Sequence, residues 1–153
     1  MKIQLIDRNE EMCKQWELYF QDCEDVVVHH GDFFSQPTDC VVSPANSFGF
    51  MDGGLDYTIS MKLGWHVQNK LQQQIYKTEM GELLVGQALL VETNDVEIPY
   101  LISAPTMRVP LIVKETANVY LATKAILNLL KKESNIIKSV TISGLGTGVG
   151  QLP

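Results

Sequence analysis

The chain has 153 residues, 45% of them hydrophobic, which suits one globular domain over residues 1–153. Its 12 Lys and Arg residues against 18 Asp and Glu residues give a formal charge of -6, so bulk binding of nucleic acid or of an anionic membrane surface is not expected. No apolar run approaches the roughly 20 residues of a membrane span, and three cysteines without metal-type spacing suit reduced thiols, which predicts a cytoplasmic protein.

The predicted elements alternate between strands and helices along the chain. They are a strand at Lys2–Asp7, a helix capped by Asn9, strands at Val26–His30 and Cys40–Val42, a helix over 55–75, strands at Leu83–Glu92 and Tyr100–Pro105, a helix at Glu115–Lys132, and a strand at Ser139–Gly144. This alternation predicts a layered α/β domain with a largely parallel or mixed central sheet.

The segment from Leu55 to Ile75 carries two conflicting periodicities. Apolar residues recur at every fourth position along the whole segment, which indicates one face of a helix, while strict alternation as far as Val67 is a strand signal. Because the row continues into a Gln- and Lys-rich stretch too long for one strand, we predict a helix, although Gly64 lies inside it.

Three loops that follow predicted strands have compositions suited to ligand binding. They are His30–Phe34, Ser43–Asp56 and Gly144–Gly150. Ligands of open α/β sheets bind outside the carboxyl ends of the strands, so these loops are expected to meet around one site.

The loop Gly144–Gly150, the glycine loop, has glycine at every other position and Thr147 among them. Uncovered N–H groups of such a loop can surround an anion such as a diphosphate. The spacing matches neither a dinucleotide-binding fingerprint nor a Walker A loop. A merely flexible glycine turn explains the pattern equally well.

The loop Ser43–Asp56 combines an amide, two adjacent glycines and carboxylates. Asn46 suits recognition of a sugar hydroxyl, and Gly53-Gly54 lets backbone approach a ligand closely. Taken singly, Asn46 also fits an Asx turn, and Asp56 fits the start of a helix. Together with the two other loops at the same sheet edge, these residues favour a ligand site.

Two stretches of the sequence resemble the macrodomain signature. VSPANSFGFMDGGLD, residues 42–56, is similar to the family's N-A-A-N-like turn followed by a G-G-V-D helix start, and HGDFF, residues 30–34, is similar to its G-D-I-T segment. The glycine loop resembles the family's diphosphate loop. The resemblance runs in the correct order over essentially the whole chain, and it implies a three-layer α/β/α macrodomain with a mixed central sheet that binds ADP-ribose or ADP-ribosylated protein.

The resemblance also implies roles for individual residues. Asp32 would accept a hydrogen bond from the adenine amine, Asn46 would hold the distal ribose, and Asp56 would orient or deprotonate a water, so Asp56 and Asn46 are the predicted catalytic residues. The remaining predicted ligand contacts are Phe33, Ala45, Gly53, Gly54, Gly144, Gly146, Thr147, Gly148, Val149 and Gly150. No cofactor is implied, and no metal site is expected, because the histidines form no recognised ligand set with any cysteine.

The chain departs from the family pattern in three places. Ser43 replaces the first Asn of the signature, and Phe50-Met51-Asp52 interrupts its glycine run. Family members continue past the diphosphate loop into a helix, so we expect this chain, which ends at Pro153, to be truncated and to lack that C-terminal helix. The leading expectation is hydrolysis of ADP-ribosyl groups from proteins or small ADP-ribose derivatives. The alternatives are a non-catalytic ADP-ribose reader and a structural or interaction domain with a vestigial cleft.

Overall fold

The strands and helices alternate along the chain as the sequence predicts. The computed structural model describes all residues, 1–153. Its elements are β1 Lys2–Asp7, α1 Glu10–Tyr19, β2 Val26–His30, β3 Cys40–Ser43, α2 Gly54–Leu63, α3 His66–Tyr76, β4 Leu89–Glu92, β5 Tyr100–Ser103, α4 Asn118–Lys132 and β6 Ser139–Ile142. Not one of these helices combines the length and the apolar character that crossing a membrane requires.

The six strands form one sheet in the order β2-β1-β6-β3-β5-β4. Neighbouring strands run parallel throughout except β4, which is antiparallel to β5. The prediction of a mixed central sheet is therefore confirmed. Parallel strands end at the same edge, so the loops after β1, β2, β3, β5 and β6 all leave from one side of the molecule.

Helices cover both faces of the sheet and make three layers. On one face, Ile59 of α2 and Leu71 of α3 pack in a cluster with Val41 of β3. On the other face, Ile126 of α4 packs in a second cluster with Val42, the next residue of the same strand. Successive strand residues point to opposite faces, so each buried strand contributes to both cores. The three-layer α/β/α architecture is confirmed.

The predicted helix over 55–75 is two helices, α2 and α3. The apolar row does face a single core, whose members from this row are Ile59, Leu63, Val67, Leu71 and Ile75. The chain turns between the helices at Gly64, where φ is +98°, a left-handed conformation that glycine adopts without strain. The Gly64 N–H donates to Ser60 O at 2.8 Å and closes α2. The helical prediction is right, and its continuity is wrong.

The predicted strand Leu83–Glu92 is also only half right. Strand pairing begins at Leu89, because the preceding residues form a turn in which Gln87 N donates to Leu84 O at 2.9 Å. Gly86 lies in that turn with φ of +98°. An apolar run interrupted by glycine therefore marks a turn before the strand.

Leu71→Ala tests whether the apolar row holds α3 on the sheet. Leu71 is fully buried, so truncation leaves a cavity and is expected to lower the free energy of unfolding by about 2–5 kcal/mol in urea titrations. The exposed Gln73 lies on the same helix, and Gln73→Ala is expected to change that energy by less than about 0.5 kcal/mol. Equal losses for the two variants would contradict the packing described.

Candidate functional site

A cleft of about 480 Å³ opens at the carboxyl edge of the sheet. The three predicted loops meet around it, as the parallel strand order requires. Every catalytic or ligand-binding residue proposed from the sequence lies on its wall: Asp32, Phe33, Ala45, Asn46, Gly53, Gly54, Asp56, Gly144, Gly146, Thr147, Gly148, Val149 and Gly150. Residues more than 100 positions apart in sequence are thus brought together in a single cavity.

The loop after β2 supplies a carboxylate and a neighbouring backbone donor. Asp32 accepts from Phe34 N at 2.9 Å through Oδ1 and pairs with Arg8 Nη2 at 2.6 Å through Oδ2. The Phe34 N–H, and next the Arg8 guanidinium, hold the pKa of Asp32 below its ordinary value. The N–H of Phe33 has no acceptor in the protein. Asp32 therefore offers an ionised acceptor, and the adjacent Phe33 offers a free N–H donor.

The side chain of Asn46 shapes the turn after β3. Its Oδ1 accepts from Phe48 N at 3.0 Å and from Phe50 N at 3.3 Å, while its Nδ2 donates to Phe50 O at 3.1 Å. This is the Asx-type turn that the sequence left open as an alternative. The second hydrogen of Nδ2 has no acceptor in the protein, so Asn46 keeps one donor for a ligand.

Asp56 lies in the first turn of α2 and is buried, with 9% of its surface exposed. Its Oδ1 accepts a hydrogen bond from the Ser43 hydroxyl, and its Oδ2 has no partner in the protein. Burial raises the pKa of Asp56 to about 7; the Ser43 bond opposes this rise, and the charge of Asp52 adds to it. Ser43, which stands where the resemblance expects Asn, therefore holds the predicted catalytic carboxylate.

Backbone donors without acceptors lie on two walls of the cleft. In the glycine loop the N–H groups of Gly146, Gly148, Val149 and Gly150 donate to no protein atom. At the start of α2 the N–H groups of Gly54, Leu55 and Asp56 are likewise free, and Gly53 provides no side-chain cap. A helix N-terminus carries partial positive charge and suits an anion. These two walls thus offer backbone donors to an anionic group, and neither contributes a basic side chain to the cleft.

The fold of the glycine loop depends on its own polar contacts. Thr147 Oγ1 donates to Gly144 O at 2.7 Å, and Leu152 N donates to Gly146 O at 2.9 Å. Gly146 has φ of +73°, and a Cβ there would come within 2.6 Å of Val119 Cγ2. A side chain at position 146 is therefore excluded by both conformation and space.

Several residues of the cleft wall were not singled out from the sequence. They include Asp7 at the end of β1, Arg8 directly after it, and Thr106 and Pro110 after β5. Asp52, which interrupts the glycine run of the signature, also lies on the wall. No glycine or motif marks Asp7 and Arg8. The available signal was position alone, because Asp7 ends a predicted strand and Arg8 begins the segment that follows it.

Comparison with known proteins assigns the fold to one family. A family model described as Macro domain matches residues 42–153. An uncharacterized protein of Aquifex aeolicus is 34% identical over 129 residues, which cover 84% of this chain and 73% of that protein. Among solved structures, the macrodomain of Mycobacterium tuberculosis DarG superposes with a TM-score of 0.69 at 20% identity, covering 82% of this chain and 79% of its own. Thermosipho africanus DarTG in complex with ADP-ribose superposes with a TM-score of 0.65 at 18% identity, covering 97% of this chain and 46% of its own.

The raised pKa of Asp56 predicts a pH-dependent stability. The folded pKa of about 7 exceeds the ordinary value of 3.8, so the folded protein holds a proton that the unfolded chain releases at lower pH. This contribution is fully present below the unfolded pKa and is lost as pH rises through about 7. From pH 5 to pH 8, the free energy of unfolding of the wild type is expected to fall by on the order of a few kcal/mol relative to Asp56→Asn.

Urea titrations of both proteins across that pH range provide the measurement. Asn at position 56 does not titrate, so it isolates the contribution of the one carboxyl group. Parallel pH profiles for the two proteins would mean that Asp56 ionises alike in the folded and unfolded states.

Proposed function

The chain belongs to the macrodomain family, and we propose that its cleft binds ADP-ribose, either free or attached to a protein. The observation that carries this proposal is the set of acceptor-free backbone N–H groups on two segments that line the same cleft, the glycine loop and the start of α2. A diphosphate presents several oxygens that such donors satisfy. The ADP-ribose bound to the Thermosipho africanus relative supports the same ligand class.

Adenine recognition fits the loop after β2. The carboxylate of Asp32 can accept from the exocyclic amine, and the free N–H of Phe33 can donate to the adjacent ring nitrogen. Guanine presents an acceptor and a donor in the reverse order, which would leave both protein groups unpaired. The pair therefore favours adenine over guanine.

The diphosphate would lie between the glycine loop and the N-terminus of α2. An acidic protein can hold an anion here because the donors are backbone groups and the helix dipole adds favourable potential. The carboxylates on the same wall oppose binding, but Asp56, with a pKa of about 7, carries a proton in part of the molecules at neutral pH. Its repulsion of the ligand is reduced accordingly.

We further propose that the site hydrolyses the bond between the distal ribose and the group attached to it. Asn46 would donate its remaining N–H to the ribose, and Oδ2 of Asp56 would take a proton from the attacking water. As the water oxygen bonds to the ribose carbon or ester carbonyl, the bond to the leaving group breaks, and the proton passes to that group. A carboxyl pKa near the working pH suits this exchange.

The burial of Asp56 favours a second candidate, a reader that binds ADP-ribose without turnover. Only 9% of the residue is exposed, and one of its oxygens is held by Ser43. If that bond keeps Oδ2 away from the reacting atoms, the cleft binds and releases ligand unchanged. A domain with a vestigial cleft would show neither binding nor turnover.

Calorimetric titration with ADP-ribose, with AMP and ribose 5-phosphate as partial ligands, tests the binding proposal. We expect binding that requires the whole ligand, and we expect Asp32→Ala to weaken it by about 1.5–3 kcal/mol, the scale of a hydrogen bond to a charged group. No heat with wild-type protein would reject ADP-ribose as the ligand.

Arg8→Ala is the matched control for Asp32→Ala. Both variants remove the ion pair between these side chains, but only Asp32→Ala removes the carboxylate. Weakening confined to Asp32→Ala would assign the effect to the carboxylate. Equal weakening in both variants would show that the ion pair, rather than contact with adenine, is responsible.

Turnover assays on Asp56→Ala separate hydrolase from reader. We expect hydrolysis of an ADP-ribosylated protein or ester to be abolished while most of the ADP-ribose affinity remains. Ser43→Ala keeps the carboxylate but frees it, so a partial loss is expected. Unchanged turnover in Asp56→Ala would remove Asp56 from the mechanism, and wild-type binding without turnover would favour the reader.

A further inference from the structure

Asp7, the last residue of β1, is hydrogen-bonded to two loops of the cleft wall and to Asn9, the residue that caps α1. Its Oδ2 accepts from Gly144 N at 3.1 Å, and its Oδ1 accepts from Asn9 N at 2.9 Å. Its backbone oxygen accepts from Gly31 N at 2.9 Å. We propose that Asp7 is the positioning residue that holds the glycine loop in its ligand-binding shape, an inference that rests on the diphosphate role proposed for that loop.

The bond to Gly144 lies where the backbone pairing of β1 with β6 stops. The last pair of that parallel ladder is Leu5 with Ile142. Asp7 and Gly144 each follow two residues later, so they remain in register with that ladder. The hydrogen bond from Gly144 to the Asp7 carboxylate thus links the two strands beyond their backbone pairing, at the point where the glycine loop begins.

Gly144 is fixed at both of its polar groups. Its N–H is bound by Asp7, and its carbonyl oxygen accepts from Thr147 Oγ1 at 2.7 Å. It is also packed closely, because a Cβ at this position would come within 2.5 Å of Met12 Sδ on α1. On the cleft wall the acceptor-free donors begin at Gly146, only two residues on, so the direction in which they point depends on this anchor.

Because Asp7 is charged, the direction in which ligand affinity changes when it is replaced tests the proposal. Its carboxylate lies on the wall of a cleft proposed for an anion, so its charge alone opposes the ligand. Removing that charge would strengthen binding if electrostatics were its main effect. Asp7→Ala removes the charge and both acceptors, so the bonds to Gly144 and Asn9 are lost, and the positioning role predicts weaker binding.

Asp39 provides a matched control at the opposite end of β6. Its Oδ2 accepts from Lys138 N at 2.8 Å and from Ser139 N at 3.2 Å. Asp39 therefore holds the start of β6 as Asp7 holds the segment after its end, by accepting hydrogen bonds from backbone N–H groups. It does not lie on the cleft wall. Asp39→Ala therefore removes a charge and comparable bonds without touching the glycine loop.

Amide hydrogen exchange of the unliganded protein, followed by NMR, measures the loop directly. In Asp7→Ala we expect exchange at least about tenfold faster for the amides of Gly144, Leu152 and Val113, whose bonds hold the loop. In Asp39→Ala we expect the increase at Lys138 and Ser139 instead. Unchanged exchange at Gly144 and Leu152 in Asp7→Ala would overturn the proposal, whatever the ligand proves to be.

Calorimetry with ADP-ribose completes the test. We expect affinity to fall at least about tenfold in Asp7→Ala and to stay within about twofold in Asp39→Ala. Asp7→Glu keeps the charge and displaces the acceptors by one methylene, so it is also expected to weaken binding and serves if Asp7→Ala does not fold. Unchanged or tighter binding in a folded Asp7 variant would overturn the proposal. Wild-type protein that binds no ADP-ribose would reject the proposed ligand, while the exchange data would still decide the role of Asp7.

Discussion

Parallel pairing of β1, β6, β3 and β5 is the constraint on which the cleft depends. Each strand contributes only a short ladder, yet together they bring the ends of distant segments to one edge of the sheet. The loops leaving that edge need no long insertions to meet. Side-chain bonds such as that of Asp7 to Gly144 then extend the alignment beyond the last paired residues. The geometry of the site is therefore largely a consequence of strand order.

An acidic chain can present an anion site because the donors belong to the backbone. Apart from Arg8, which is paired with Asp32, the charged side chains on the cleft wall are carboxylates. Favourable potential must come from free N–H groups and from the N-terminus of α2. Such donors are fixed by the fold and lose little side-chain freedom when a ligand binds. Selectivity would then follow from shape and hydrogen-bond direction more than from net charge.

The sequence predicts the architecture and the location of the site better than it predicts the contacts within the site. Strand-helix alternation and the signature around Asn46 were sufficient for the fold. Two glycines explain why the predicted bounds of two elements were wrong. Gly64 ends α2 inside the predicted helix, and Gly86 lies in a turn before β4. The bond between Ser43 and Asp56 and the burial of that carboxyl depend on tertiary packing, which no local pattern encodes. Asp7 was missed for the same reason, since its partner Gly144 is 137 positions away.

Burial leaves Asp56 partly protonated at neutral pH, although the hydrogen bond from Ser43 opposes protonation. A ligand carrying negative charge nearby would favour the protonated form further, so its binding would draw a proton from solution. Part of the heat of binding would then be the ionisation heat of the buffer, and affinity would increase toward acid pH. Binding of the anion would raise the affinity of the cleft for the proton, and binding of the proton would raise its affinity for the anion.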